Sequence, residues 1–432
     1  MKILLIGSGG REDALAWGLS RSPRSELLRC APGNAGIAER AEIVHLAAND
    51  IDAIVDHAHG EGYDLVVVGP EAPLVAGLAD RLRATGIPVF GPSAAAACIE
   101  GSKVFAKKFM EHHGIPSGRC EIFDDLAGAE RFLESREAVF PTVIKADGLA
   151  AGKGVLLADD REAALQAARA MLGEGRFGEA GSRILVEEML YGREVSVFVL
   201  SDGEAIVELP TCQDYKRALD GDGGLNTGGM GCYSPSAYLD DATRQKIVNE
   251  IIRPTIEGLA TEERPYNGVL YCGLMLTDSG PKVLEFNARF GDPETQVLIP
   301  RLEGDWAEVL HACATGDLAA TPLEFKQDAA VCVVMASGGY PAGYAKGLPI
   351  EGLEAVASMD DVMVFHAGTA RDDAGALATA GGRVLGVTGM GPDLETARAR
   401  AYDAVSRIRW DGEHHRNDIA ADAVRRLAGS ND

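Results

Sequence analysis

Short apolar runs alternate with helix-forming stretches through the first hundred residues, and no other feature constrains the fold as tightly. Residues 2–6, 26–30, 65–68 and 88–90 are strand candidates, several of them ending in Gly or Pro turns, and 12–20 and 51–59 suit helices. Strand, helix, strand in that order predicts a parallel sheet with crossover helices. Such sheets bind ligands in the loops at the strands' carboxyl ends. The pattern changes from about Ser102 to Asp317. There 143–145, 184–186, 195–200, 205–209, 269–276 and 282–286 read as strands of α+β units, separated by glycine-rich loops at 148–154 and 221–231. Loops of that kind inside a compact domain are functional or disordered. A smaller third module follows from about Leu323, with strands at 329–335, 362–366 and 383–388 and a helix at 394–407.

At 432 residues the chain exceeds one ordinary core, so two to four packed units are expected. Acidic side chains outnumber basic ones 65 to 41, a formal charge of −24 that argues against nonspecific binding to nucleic acid or anionic membranes. No apolar run approaches a membrane span, and the N-terminus lacks a signal-peptide pattern. The expectation is therefore a cytoplasmic protein; a monomer is expected as well, without resting on these features. Eight scattered cysteines without a CxxC pair read as reduced thiols. The pair His112-His113 reads as structural or solvated.

Several segments carry chemistry. The opening strand runs into Gly7-Ser8-Gly9-Gly10-Arg11-Glu12 and then a helix, a place where backbone N–H groups meet a phosphate. A dinucleotide fingerprint would need glycine at position 12, so that cofactor is disfavoured. In Gly69-Pro70-Glu71-Ala72-Pro73, two prolines stiffen a loop that holds Glu71 outward, either at a site or merely in solvent. Lys145 ends a strand just before Gly148, Gly152, Lys153 and Gly154, which suits a flap over a nucleotide. It is not a Walker A loop, because Asp147 and Gly154 stand where that motif needs glycine and Ser or Thr. Lys103 opens an amphipathic helix as a second candidate phosphate lysine. Beyond the strand 184–186, Glu187 and Glu194 are carboxylates able to bind ribose hydroxyls, or ordinary exposed glutamates.

The segment 213–231 has the aspartates of a calcium loop, but Gly224 and Gly231 break the EF-hand pattern. So much glycine suggests backbone wrapped closely around a substrate. The most informative stretch is Val283-Leu284-Glu285-Phe286-Asn287-Ala288-Arg289-Phe290-Gly291-Asp292-Pro293-Glu294. On a strand, Glu285 and Asn287 point the same way and offer two oxygen ligands to one hard cation, with Leu284 and Phe286 turned to the core. Arg289 continues that face, suited to a carboxylate or acyl phosphate.

Taken in order, GSGGRE, APGNAG, GPEAPLV, EGSK, IKADGLAAGKGV, QDYKR, NTGGMG, EFNARFGDPETQ, FHAGT and GGRVL resemble the phosphoribosylamine–glycine ligases of the ATP-grasp superfamily, from residue 7 to 385. The resemblance implies an N-terminal α/β parallel-sheet domain (1–102), a two-lobed ATP-grasp unit (103–320, flap lobe near 123–192) and a small C-terminal α+β domain (321–432). It implies that Lys103, Lys145, Gly152, Lys153, Gly154, Glu187, the Leu190 backbone and Glu194 hold ATP, and that Glu285 and Asn287 bind Mg2+ (or Mn2+). Gly9, Gly10 and Glu71 would face 5-phosphoribosylamine. Asp214, Lys216, Arg289 and Asp292 would lie near glycine, with Arg289, Asp214 and Lys145 catalytic. The implied reaction joins glycine to 5-phosphoribosylamine through glycyl phosphate, giving glycinamide ribonucleotide, ADP and phosphate. Another ATP-grasp carboxylate–amine ligase is the first rival, and a nucleotide-binding oxidoreductase the second.

Three residues depart from the family pattern. Asp13 replaces histidine in GGREHA, Tyr215 replaces histidine in QDHK, and Leu225 stands where proline is common. Asp13, one turn into a helix, reads as an improvement of that helix's charge pattern. Tyr215 reads as close enough to the site to alter substrate affinity.

Overall fold

The computed structural model describes residues 1–149, 154–173 and 181–429. Its first unit is a five-stranded parallel sheet, ordered Glu42–Ile43, Leu27–Pro32, Lys2–Gly7, Leu65–Val68, Val89–Phe90. The central strand is apolar along both faces because helices cover both, and Ile3, Leu4, Leu5 and Ile6 are fully buried. Helix Ile51–Glu61 starts where Asp50 accepts the Ala53 N–H (3.2 Å) and stops at Gly62, whose φ of 66° leaves the helical path.

Two antiparallel sheets follow. One runs Cys120–Phe123, Ile184–Glu188, Thr142–Ala146, Val155–Ala158 and packs on its own small core with helices Leu126–Glu134 and Arg161–Ala168. The other runs Ile206–Glu208, Arg193–Asp202, Asn267–Thr277, Gly280–Asn287. The third unit is built on a six-stranded sheet, and it recruits Gln213–Asp214 and Gly231–Ser234 from far upstream beside Ala329–Ser337, Arg383–Gly391, Val362–His366 and Glu413–His414. The segment 221–231 is accordingly more than a loop. Gly223–Asn226 forms a hairpin with Arg217–Leu219, and Gly231–Ser234 is a buried strand. Among the described residues no helix is long and apolar enough to cross a membrane. All eight cysteines are free.

A single large core cluster joins the units, running from Ile3 through Phe198, Phe290 and Trp306 to Cys332, Phe365 and Met390. Polar contacts tie the same seam. Asp13 is fully buried and accepts from Arg40 Nη1 (2.9 Å) and from the backbone N–H of His366 (2.6 Å). This corrects the reading of Asp13 as a helix-charge improvement, since its carboxyl faces the C-terminal unit instead of solvent. Asn34 joins it there, donating to Ser8 O (2.9 Å) and His366 O (2.7 Å). Gly36 has no alternative at this seam, because a Cβ would lie 2.4 Å from the His366 ring.

Burial raises the Asp13 carboxyl to about 6, with Arg40 working against the shift. Replacing Asp13 with Ala strands the His366 N–H inside the seam, a loss of about 1–3 kcal/mol. Denaturant unfolding of Asp13→Ala at pH 7 should show that loss, and an unchanged midpoint would contradict the assignment.

Candidate active site

The cleft between the two antiparallel sheets and the N-terminal sheet collects the chemistry-bearing residues, and local structure explains how. Ser102 caps helix Lys103–His112 by accepting the Phe105 N–H (3.1 Å) and donates to Asp147 (3.0 Å). Asp147 also accepts from the Val104 N–H (3.1 Å) and pairs with Arg183 (2.5 Å). The start of the helix is thereby fastened to the end of strand Thr142–Ala146, and Lys103 Nζ reaches Gly148 O at 2.9 Å. Gly154 closes the loop by accepting the Ala146 N–H at 2.8 Å, while Gly152 and Lys153 lie outside the described residues.

Lys145 projects from the buried strand onto Glu187 (3.1 Å) and the carbonyl of Leu284 (3.2 Å). Lys107 binds the same Glu187 oxygen at 3.0 Å, leaving Glu187 Oε1 buried without a partner among the described residues. The Leu284 carbonyl is available because a β-bulge interrupts the pairing: Leu274 faces Val283, but Gly273 faces Glu285. The bulge also corrects the expected alternation. Val283 and Phe286 enter the core while Leu284 stays half-buried outside it, so Glu285 and Asn287 keep the cleft face. Leu190 lies two residues beyond strand Ile184–Glu188, half-buried.

Lys216 links the next group, 3.1 Å from Glu194 and 3.9 Å from Glu285. Burial opposes its charge, but Glu194 and Asp214 outweigh burial and raise it above the ordinary lysine range. Burial likewise works against the Glu285 carboxylate, yet Lys216, Lys145 and Lys103 together hold it below the usual range. Lys103 is itself lowered, chiefly by burial. Asp214 is raised by burial with Glu194 and Glu285 nearby, despite Lys216. Beneath it, the Ser196 hydroxyl lies 3.4 Å from Asp214, 3.2 Å from Tyr271 OH and 3.5 Å from Glu294.

On the N-terminal side Arg289 lies 3.0 Å from Glu100 and 3.4 Å from Glu71. Glu71 does not sit in a stiff loop. It opens the short helix Glu71–Val75, and Arg289 with Arg11 outweighs burial to hold its carboxyl low. The glycines at 9 and 10 are shaped by neighbours as much as by any anion. Gly9 N–H donates to Glu12 (2.6 Å), and a Cβ on Gly10 would sit 2.6 Å from Gln296 Nε2. Asp292 completes this corner, accepting from Arg11 N (3.3 Å) and Gln296 (3.0 Å) and pairing with Arg383 (3.2 Å). Tyr215, expected near the site, points away from it: its hydroxyl donates to Asp422 at 2.6 Å.

Six further residues belong to this constellation that motif reading did not single out: Lys107, Glu100, Glu12, Asp147, Glu294 and Arg383. Lys107 was within reach of pattern, lying four residues after Lys103 on one helix face. Glu12 was too, as it accepts the N–H of Gly9 three residues before it at the start of the helix, whereas the other four meet their partners only through tertiary folding.

Comparison with known proteins follows the same outline. Three family profiles match in sequence: phosphoribosylglycinamide synthetase N domain over residues 1–100, ATP-grasp (A) domain over 101–295 and C domain over 330–422. A phosphoribosylamine–glycine ligase of Caulobacter vibrioides is 52% identical over 97% of both chains. The crystal structure of a Thermotoga maritima phosphoribosylamine–glycine ligase superposes with a TM-score of 0.85 at 32% identity, over 97% of this chain and 100% of that one. The biotin carboxylase domain of Hydrogenobacter thermophilus 2-oxoglutarate carboxylase shares the fold alone, with a TM-score of 0.75 at 17% identity over 96% and 91% of the two chains.

Burial, then the charge of Asp214, pushes Glu294 up to about 8 from an ordinary 4.5. The folded chain therefore keeps a proton that the unfolded chain releases, and this contribution is lost as pH rises from about 4.5 to about 8. Glu294→Gln should flatten the fall in stability between pH 5 and 8; an unaltered difference in unfolding midpoints would show that Glu294 is already ionised. With the N, ATP-grasp and C profiles all matched in order, the chain belongs to the phosphoribosylglycinamide synthetase family.

Proposed function

We propose that this protein ligates glycine to 5-phosphoribosylamine at the expense of ATP, through glycyl phosphate, giving glycinamide ribonucleotide, ADP and phosphate. One observation carries the reading: the chain matches ligases of this activity from end to end, at 52% identity for the Caulobacter vibrioides relative. A shared fold alone would leave the acid and the amine open, as it does for the biotin carboxylase neighbour at 17% identity.

The residues support a division of labour. Lys103 and Lys145 would offset charge on the nucleotide phosphates, and Glu187 Oε1, buried and without a partner among the described residues, suits a nucleoside hydroxyl, with the Leu190 backbone and Glu194 completing the nucleotide's contacts. Glu285 and Asn287 offer one carboxylate and one amide oxygen from the same strand face, a hard-donor pair that fits Mg2+ or Mn2+. The described residues contain no group of three or more His, Cys, Asp or Glu side chains able to hold an ion alone. That suits a cation sharing its shell with phosphate oxygens. When bound, it would neutralise charge on the transferring phosphoryl group.

Glycine's carboxylate oxygen attacks the γ-phosphorus and ADP leaves. The amine of 5-phosphoribosylamine then attacks the glycyl carbonyl, phosphate departs, and the amine's proton passes to solvent. Asp214 and Lys216 would orient glycine. Arg289 would meet the acyl phosphate by exchanging one of its two carboxylate partners, and Gly9, Gly10, Glu71 and Asp292 would line the amine's side. Positioning and fixed charge supply the acceleration, and no covalent enzyme intermediate is required.

ADP release with ATP, Mg2+, glycine and phosphoribosylamine generated in situ, each omitted in turn, tests this reading. ADP formation should require both glycine and the amine, and the product should have the mass of glycinamide ribonucleotide. Dependence on another acid or amine would overturn the substrate assignment. Lys145→Ala and Glu285→Ala should each lower turnover at least about 100-fold while remaining folded. Lys107 still neutralises Glu187 in the first variant, so its fold has no reason to fail. Normal turnover by both folded variants would refute the site.

A further inference from the structure

The segment 213–217 has two faces, and only one of them looks into the cleft. Asp214 and Lys216 face Ser196 and Glu194, whereas Tyr215 and the backbone of Arg217 face the end of the chain. Strand Arg193–Asp202 alternates the same way, for Glu194 binds Lys216 while its neighbour Arg193 pairs with Asp422 (3.2 Å). Asp422, at the start of helix Ala421–Leu427, accepts from Tyr215 OH (2.6 Å) and from Tyr238 OH (2.7 Å). The backbone N–H of Ala420 donates to Tyr215 OH at 3.0 Å.

A second set of contacts, centred on Arg416, reaches the hairpin that follows. Arg416 is 1% exposed, sits over the Tyr215 ring (4.9 Å) and donates to Arg217 O (3.1 Å) and to Asp222 (2.8 Å). Asp418 binds Arg416 on one side (2.7 Å) and the Gly221 N–H on the other (2.8 Å). Two non-glycine residues at this contact hold left-handed backbone conformations, Asp222 (φ 55°) and Ala420 (φ 61°). Such conformations persist where the surroundings over-determine them, and they cluster at working parts of proteins.

We propose that residues 414–422 are a positioning element of the active site, which sets the placement of Asp214 and Lys216 through Tyr215, Asp422 and Arg416. The inference rests on the proposed function, in which Asp214 and Lys216 orient glycine. Their placement is fixed from behind: residues 416–422 hold Tyr215 and the Arg217 carbonyl on either side of Lys216, and Arg193 beside Glu194. Tyr215 then acts on the site through Asp422 without touching a substrate.

The experiment compares wild type with Tyr215→Phe, Asp422→Asn and Arg416→Lys in glycine and ATP titrations, thermal unfolding and hydrogen exchange of the hairpin 217–226. Tyr215→Phe removes one hydroxyl and keeps the ring under Arg416, so it tests the idea even if the other two variants fold poorly. Expected is a rise in KM for glycine of about tenfold or more, since small misplacements of a positioning group have effects of that order. KM for ATP should stay within about twofold, and exchange in the hairpin should quicken. A fall in melting temperature with glycine KM unchanged would reduce the contact to stability alone and overturn the proposal. Equal losses for glycine and ATP in a folded Tyr215→Phe protein would do the same. If wild type itself shows no glycine-dependent turnover, the proposed function falls, and this inference with it; wild type active and variants indistinguishable from it sinks the inference only.

Discussion

A half-buried arginine just past the end of one strand sets the relation between the two halves of the cleft. Arg289 leaves the strand that carries Glu285 and Asn287 and is received by Glu100 and Glu71, which belong to the N-terminal side. Glu100 is nearly fully buried, and leaving such a carboxylate without its partner typically costs about 3–5 kcal/mol. Glu100 is additionally held by the Ala288 N–H at 2.6 Å, so the strand end and the helix Ala94–Gly101 are fixed to one another twice. Everything on the cleft floor inherits this registration, from Glu285 and its three lysines to the corner where Asp292 meets Arg11 and Arg383.

The cleft is also an arrangement of charges that satisfy each other. Glu187 lies against Lys145 and Lys107, Glu194 against Lys216, and Asp292 against Arg383. Each cation thus has a local carboxylate that an incoming phosphate or carboxylate must displace or join. The carboxylates hold the lysines at fixed positions, so little reorganisation is left for the reacting state.

Much of the architecture was legible in the sequence. Apolar runs such as Leu65–Val68 and strand–turn punctuation gave the parallel sheet, because local pattern and burial agree there. The cleft face of Glu285 and Asn287 was legible too, but the reason was only half right, since a bulge at Leu284 restores an alternation that simple period two misassigns behind it. Asp13 was misjudged, and the direction in which Tyr215 points was not foreseen, for a common physical cause. Each sits beside site residues in sequence, yet each partner comes from more than 200 residues away, His366 for one and Asp422 for the other. Glycine spacing at 9 and 10 suggested open backbone, where the Glu12 carboxylate and Gln296 already occupy the adjoining space. No local pattern encodes contacts of that range.

The seam between Asp13 and His366 bears on how the chain is made. These residues are 353 positions apart, and the hydrogen bond that joins them closes a face of the first unit. On the ribosome the N-terminal sheet emerges long before strand Val362–His366 exists, at roughly 5–20 residues per second. For that interval, on the order of tens of seconds, the first-made unit carries an uncovered polar seam beside the apolar surface that Phe365 will cover. The last-made unit thus completes the first, and a stalled or shortened chain would present that unfinished face to chaperones and to other chains.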